Sequence, residues 1–354
     1  MQELAYQDFT KSAQGGLNTR RGPLGGVIEL TYRCNLNCIH CYSKGLETEE
    51  LNTLQWKKIL DEIHKEGCLW LTVTGGEPLL RKDFLEIYNY AYSKGLLISI
   101  FTNATLLTQK VLDFLNGHRP FCIEISLYGI SKQVYESVTR LTGSFQKVRD
   151  NIARLLEINM PLVLKTVGLK QNKDEILKVK AFTERLLGKK RFKFDSLVLP
   201  RLDGDTAPCQ YRLSIEEILK IENSDMDMLS QRKEQMHVPF ELIRSQEFLY
   251  QCNAPLFNFF INPQGRLQFC HLSRKYSSNL TKESFKDGFY QKFPKLMQER
   301  FSAHSKCMTC SLRKDCYFCP ARSYLETGAQ EGPVEYYCEL AKARQKERRA
   351  GIYV

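Results

Sequence analysis

"TYRCNLNCIHCYSKG", Thr31–Gly45, sets three cysteines within eight residues, at Cys34, Cys38 and Cys41. It follows directly on an apolar run, "GVIELTY", that reads as a strand. In parallel α/β folds ligands bind where strands end, so the thiols stand where a metal centre is expected. Three thiolates are one short of a closed zinc site or an ordinary electron-transfer cluster. No nearby cysteine supplies the fourth: Cys68 begins a later strand and Cys122 lies inside one, so both read as packed thiols, and Cys209 falls unassigned in a loop. A cubane [4Fe–4S] cluster suits the pattern, one thiolate on each of three irons and the fourth iron open to a ligand that is not protein.

Outward from this stretch, apolar runs alternate with amphipathic segments from Gly25 to about Pro200. After "GVIELTY" the runs are "CLWLTVTG", "LLISIFTN", "FCIEISLYG", "LVLKTVGL" and "KFDSLVLP". Segments such as "TLQWKKILDEIHKEG" and "DFLEIYNYAYSKG" carry apolar residues at helical spacing and end in Gly67 and Gly95, which suit helix C-caps. Strict alternation predicts an α/β fold, a parallel sheet covered by helices. Six such units are too few for an eightfold barrel but enough for a partial (β/α)6 barrel. After Arg201 the pattern changes: residues 206–248 read as a polar helical bridge, and 249–354 as a small α+β domain dense in cysteine. Residues 1–24 form an N-terminal extension, too short for a peptide-recognition domain.

Composition is that of a globular protein with a sizeable core: 354 residues, 43% hydrophobic and 26% charged. No apolar run approaches the ~18 residues of a membrane span, and the N-terminus lacks the apolar core of a signal peptide, so a cytoplasmic location is expected. A reducing compartment disfavours disulfides, and the thirteen cysteines are odd in number and tightly spaced, which favours metal. The net charge of +11 is scattered, apart from the tail "AKARQKERRAGIYV", and reads as solvated faces rather than a nucleic-acid surface.

The first cysteine group resembles the signature of the radical SAM superfamily, C-x3-C-x-aromatic-C, with His40 at the aromatic position. "TVTGGEPLL" looks like that family's GGEP motif, and "FTNATLL" is similar to its T-N-G-T-x-L loop, with Ala104 in place of glycine. The resemblance implies S-adenosylmethionine (SAM) chelated to the open iron. It further implies that Gly75, Gly76 and Glu77 hold the SAM amine, Ser126 the ribose, Arg140 the carboxylate, and Leu199 the adenine. A guanidinium suits a carboxylate because its fork donates two parallel hydrogen bonds.

Toward the C-terminus lie Cys252, Cys270, Cys307, Cys310, Cys316, Cys319 and Cys338. On spacing alone, paired C-x2-C ribbons are also compatible with structural zinc. Behind this core the array resembles the SPASM domain, which implies two auxiliary [4Fe–4S] clusters with interleaved ligands. The first would take Cys252, Cys270 and Cys319; the second Cys307, Cys310, Cys316 and Cys338. The last gap is x2 where the usual form has x3, and no further cysteine lies between Cys252 and Cys270, so the first auxiliary cluster is expected to have an open iron.

The resemblance implies an oxidoreductase that modifies a ribosomally made peptide or protein, supplied with electrons by a flavodoxin- or ferredoxin-type partner and served by a separate leader-recognition protein. Sulfatase-maturing members use an Asp base just after the second SPASM cysteine; here the position is His271, a candidate proton acceptor. Two alternatives stand beside this: a radical SAM enzyme of haem or tetrapyrrole modification, and a non-enzymatic iron–sulfur or zinc-binding protein.

Overall fold

A computed structural model describes residues 21–46, 48–230, 247–252, 254–313, 315–316 and 318–351. Most of the N-terminal extension and residues 231–246 of the expected bridge lie outside them.

Six parallel strands form the core: β1 (Gly25–Glu29), β2 (Trp70–Thr74), β3 (Leu97–Thr102), β4 (Cys122–Ser126), β5 (Leu162–Val167) and β6 (Phe192–Asp195). They lie side by side in chain order, the partial barrel that six strand–helix units predict. Helices α1 (Thr53–Lys65), α2 (Phe84–Ser93), α3 (Gln109–Gly117), α4 (Lys132–Thr139), α5 (Ser144–Glu157) and α6 (Ile176–Leu187) connect them. Asn52 starts α1 with a capping box, its side chain taking the Gln55 N–H while Gln55 takes its own. Gly67 and Gly95 follow α1 and α2 at φ +92° and +77°, the left-handed region that stops a helix. The sixth run is shorter as a strand than its apolar length suggests, since residues 196–200 leave the sheet.

Alternation along each strand sorts the two faces. Ile28, Leu71, Val73, Ile98, Ile100, Ile123, Ile125 and Leu164 pack outward against the fully buried Trp56, Phe84, Tyr88 and Tyr135 of the helices. The inner face instead carries Glu29, Phe101, Glu124, Lys165, Lys193 and Asp195. Parallel strands buried on both faces read as continuous apolar runs. Charges at alternate positions therefore mark a lined cavity rather than a second core.

The cysteine-rich region continues the same sheet. Strand β7 (Asn258–Ile261) pairs in parallel with β1, and a hairpin of β8 (Arg266–Gln268) and β9 (Ser278–Asn279) completes nine strands. A Cβ on Gly26 would lie 2.0 Å from the Phe259 ring, so glycine on β1 is what lets this strand dock. Beyond it, α7 (Ile215–Asn223), α8 (Pro320–Thr327) and α9 (Glu335–Arg349) close the molecule. Arg212 forks onto Glu326 of α8 with two 2.7 Å hydrogen bonds, both side chains largely buried. It also donates to the Val198 carbonyl at 2.9 Å.

Removing one partner of a buried pair leaves the other charge uncompensated. Glu326→Ala is therefore expected to destabilise the chain by about 3 kcal/mol, read from denaturant unfolding of the full-length protein. A change below about 1 kcal/mol would show that α8 is not fastened through this contact.

Candidate active site

The parallel strands bring their C-terminal ends to one rim, where the first cysteine loop lies. Its backbone is held on two sides. From β2, Gly76 and Glu77 donate to the carbonyls of Thr31 (2.7 Å) and Arg33 (2.9 Å). From the end of α4, the Thr139 and Val138 carbonyls accept from Asn37 and Ile39, both at 3.0 Å. Cys38 is thereby fixed between two bonded amides. Gly75 and Gly76 are glycines because Cβ atoms there would stand 2.4 Å from the Thr31 and Arg33 carbonyl oxygens, respectively.

Glu77, fully buried, uses its carboxylate internally. It accepts from Thr102 Oγ1 (2.8 Å), the Asn103 amide (2.7 Å) and the Leu79 amide (3.1 Å), and burial raises its pKa to about 7. Each carboxylate oxygen has two lone-pair positions, so acceptor capacity remains for an ammonium. Asn103 extends the chain of contacts, donating to Asn35 Oδ1 at 3.0 Å and directing the same amide at Cys34 Sγ, 3.7 Å away. Ala104 adopts φ +58°, the conformation for which glycine is the easier residue. Arg140 follows α4 at φ +55°, donates its backbone amide to the Glu136 carbonyl at 2.9 Å, and is exposed, its guanidinium without an acceptor among the described residues. Ser126 ends β4 within the central cavity. His40, half-buried, meets Tyr128 edge-on, 4.9 Å between ring centres, and desolvation of its ring lowers its pKa to about 4. Leu199 packs in a small apolar cluster with Tyr32, Leu202 and Leu272.

No disulfide joins any of the thirteen cysteines, and the ten singled out by spacing fall into three groups by mutual influence. Burial first, then the charge of Glu77 and Cys41, pushes up the thiol of Cys34 to about 11, and burial followed by the charge of Cys41 and Cys34 pushes up that of Cys38. Cys319 and Cys252 act likewise on Cys270; Cys338 and Cys310 act on Cys307; Cys338, Cys307 and Cys310 on Cys316; and Cys310 on Cys338. Among the described residues no three metal-binding side chains converge closely enough for a single ion. Separate sets of three or four free thiols, too spread for one ion, suit iron–sulfur cubanes, in which each thiolate binds its own iron. Cys68 and Cys122 are buried thiols as expected, although Cys68 lies just before β2 rather than in the strand, and Cys122 is the first residue of β4.

His271 lies between the rings of Tyr42 (5.5 Å) and Phe260 (6.0 Å), lowered to a pKa of about 4 by burial and then by Arg322. Beside it is a network that sequence reading missed. Tyr42 donates to the fully buried Glu29 at 2.8 Å, the other Glu29 oxygen has no partner, and burial raises this carboxyl to about 7. The central cavity, about 630 Å³, was also missed: Glu124, Lys165, Lys193 and Asp195 line it from β4, β5 and β6, and Arg322 reaches it from α8. Burial lowers Lys165 to about 8. The available signal was the charge at every second position of otherwise apolar strands. A second hollow of about 510 Å³, outside the barrel between α5 and α6, is walled mainly by apolar side chains and holds none of these groups.

Residues 28–183 match the family model described as the Radical SAM superfamily. The chain is 25% identical over 325 residues to an AdoMet-dependent heme synthase from Methanosarcina barkeri, covering 85% of this chain and 92% of that protein. It is 34% identical over 154 residues to a PqqA peptide cyclase from Rhodopseudomonas palustris, a match spanning 42% of this chain and only 41% of the relative. To the Bacillus subtilis antilisterial bacteriocin subtilosin biosynthesis protein AlbA it is 27% identical over 323 residues, 86% of this chain and 68% of AlbA. Among solved structures, Streptococcus suis SuiB bound to S-adenosylmethionine shares the fold with a TM-score of 0.69 at 17% identity, over 95% of this chain and 84% of SuiB. Residues 28–183 are therefore a radical SAM domain, and SAM and a [4Fe–4S] cluster are the cofactors of that domain. Among the described residues no helix is long and apolar enough to cross a membrane.

Glu29 gives a pH test. Its folded pKa, about 7, lies above the unfolded value, so ionisation opposes folding and its contribution falls as pH rises from about 4.5 to about 7. Glu29→Gln is expected to gain on the parent protein across that window by up to about 3 kcal/mol, measured by denaturant unfolding at both ends. A difference that does not vary with pH would mean that Glu29 ionises freely in the fold.

Proposed function

We propose that this enzyme oxidatively modifies a ribosomally synthesised peptide or protein, removing hydrogen from carbon and then one further electron to form a cross-link or an oxidised residue. When bound, the cluster and SAM supply a 5′-deoxyadenosyl radical through one-electron cleavage of the sulfonium. The chain's part is to hold and to exclude. Cys34, Cys38 and Cys41 would grip the cluster; Arg140, its guanidinium without an acceptor among the described residues, would pair with the SAM carboxylate; the Gly75–Glu77 turn would receive the amine; Ser126 would receive the ribose. His40 backs the loop through Tyr128, and Leu199 offers an apolar surface for adenine.

The observation that carries the oxidative reading is the position of the second cysteine region. Arg322, three residues beyond Cys319 and interacting with it, lines the same cavity as Ser126, so an electron acceptor bound to those thiols would border the substrate. We assign one auxiliary [4Fe–4S] cluster to Cys252, Cys270 and Cys319, with an open iron, and a second to Cys307, Cys310, Cys316 and Cys338. We assign His271, beside Tyr42, the role of accepting a proton released on oxidation; full product formation by His271→Ala would remove it from that role. Reduction by a flavodoxin- or ferredoxin-type protein and leader binding by a separate protein complete the reading. The peptide assignment draws on the PqqA cyclase and AlbA relatives.

A tetrapyrrole substrate is the second reading, favoured by the match that covers 92% of the heme synthase relative. Porphyrin absorbance that co-purifies with the protein would support it; an adjacent gene for a short peptide that the enzyme converts would support the first.

Alanine at Cys34, Cys38 or Cys41 is expected to abolish 5′-deoxyadenosine release under strong reductant, and unchanged release would refute the assignment. Cys307→Ala or Cys338→Ala is expected to preserve that release while product formation falls, both read by chromatography of the same reaction.

A further inference from the structure

In the inner face, strand register sets Lys165 directly between Ser126 of β4 and Lys193 of β6. Two ammonium groups at adjacent register positions repel one another, an arrangement that costs stability unless an anion lies between or beside them. Lys193 turns aside to pair with Glu124. Lys165 does not pair: among the described residues its ammonium has no hydrogen-bond or ion-pair partner and sits 3.5 Å from the centre of the Phe101 ring, facing the cavity. Arg322 enters the same space from α8 and has a buried guanidinium nitrogen, Nη1, with no acceptor. An unpaired buried donor is costly, and a charged one more so. Around the whole cavity four cations face three carboxylates, Glu124, Asp195 and Glu222, so one positive charge is left over. Asp195, which lines the same cavity, feels the charge of both Lys165 and Arg322.

We propose that Lys165 and Arg322 form a carboxylate subsite that takes an acidic group of the substrate peptide, an Asp or Glu side chain or a C-terminal carboxylate, beside the Ser126 position. The proposal rests on the peptide-modifying reading above. Its chemical logic is electrostatic complementarity in a confined space: a carboxylate would supply the acceptor that Arg322 Nη1 lacks and the direct ion-pair partner that Lys165 lacks among the described residues. Anchored there, the adjoining carbon would be presented next to the ribose position, where hydrogen abstraction begins.

The test uses the anaerobically reconstituted full-length enzyme with SAM and no reductant, and measures calorimetric binding of capped tripeptides. Ac-Gly-Glu-Gly-NH2 is compared with Ac-Gly-Gln-Gly-NH2, and Ac-Gly-Gly-Gly with a free C-terminus against its amide; the pair that discriminates identifies which carboxylate is read. The acid is expected to bind at least about tenfold tighter than its amide, and the preference to vanish in Lys165→Met and in Arg322→Gln. Lys165→Glu is expected to invert the preference toward Ac-Gly-Lys-Gly-NH2, an outcome that a misfolded variant cannot give. Equal or undetectable binding of acid and amide, or a preference that survives both neutral substitutions, would overturn the subsite. Discrimination of a porphyrin dicarboxylate from its methyl ester, with none between tripeptides, would overturn the peptide source. SAM cleavage by the parent enzyme is scored separately: its absence removes the functional reading itself, whereas cleavage without acid–amide discrimination removes only the subsite.

Discussion

A single buried carboxylate organises the rim on which the chemistry depends. Glu77 leaves the end of β2 and ties it to the end of β3 through Thr102 and Asn103, and Asn103 reaches on to Asn35 and Cys34. Three segments far apart in sequence are thereby locked at one level of the sheet. Because the group is fully buried, each of its hydrogen bonds is strong and its loss would leave unsatisfied partners behind. The glycines before it allow the close backbone approach, so the motif serves the architecture of the cysteine loop as well as any ligand.

The inner and outer faces of the barrel solve different problems. Outward, branched apolar side chains meet aromatic residues from the helices and supply the burial that holds the fold. Inward, the same strands carry charged groups around a cavity instead of filling it. Desolvation there shifts ordinary groups to unusual values, with Glu29 raised to about 7 and Lys165 lowered to about 8. Such perturbed groups concentrate where binding or proton movement takes place.

The cysteine-rich region is not hung from the core by a linker alone. Its first strand extends the core sheet through β1, its helices are fastened by the Arg212–Glu326 and Arg344–Glu222 ion pairs, and Arg322 enters the barrel lumen. A displacement of this region would therefore be felt in the cavity. That coupling links Cys319, through Arg322, to the cavity, while Cys34, Cys38 and Cys41 lie at the strand ends.

Local signals in the sequence determined the strand–helix alternation, the C-capping glycines and the cysteine spacings, because each depends on residues close together in the chain. The sixth strand ended sooner than its apolar run, since residues 196–200 serve the turn toward the C-terminal region and the cavity mouth. Only the tertiary structure decided which thiols share a neighbourhood, that Phe259 docks where Gly26 leaves room, and that Glu29, Lys165 and Arg322 face inward with unmet hydrogen-bonding or charge demands. Those facts arise from strand register and from packing between segments hundreds of residues apart, which no local periodicity encodes.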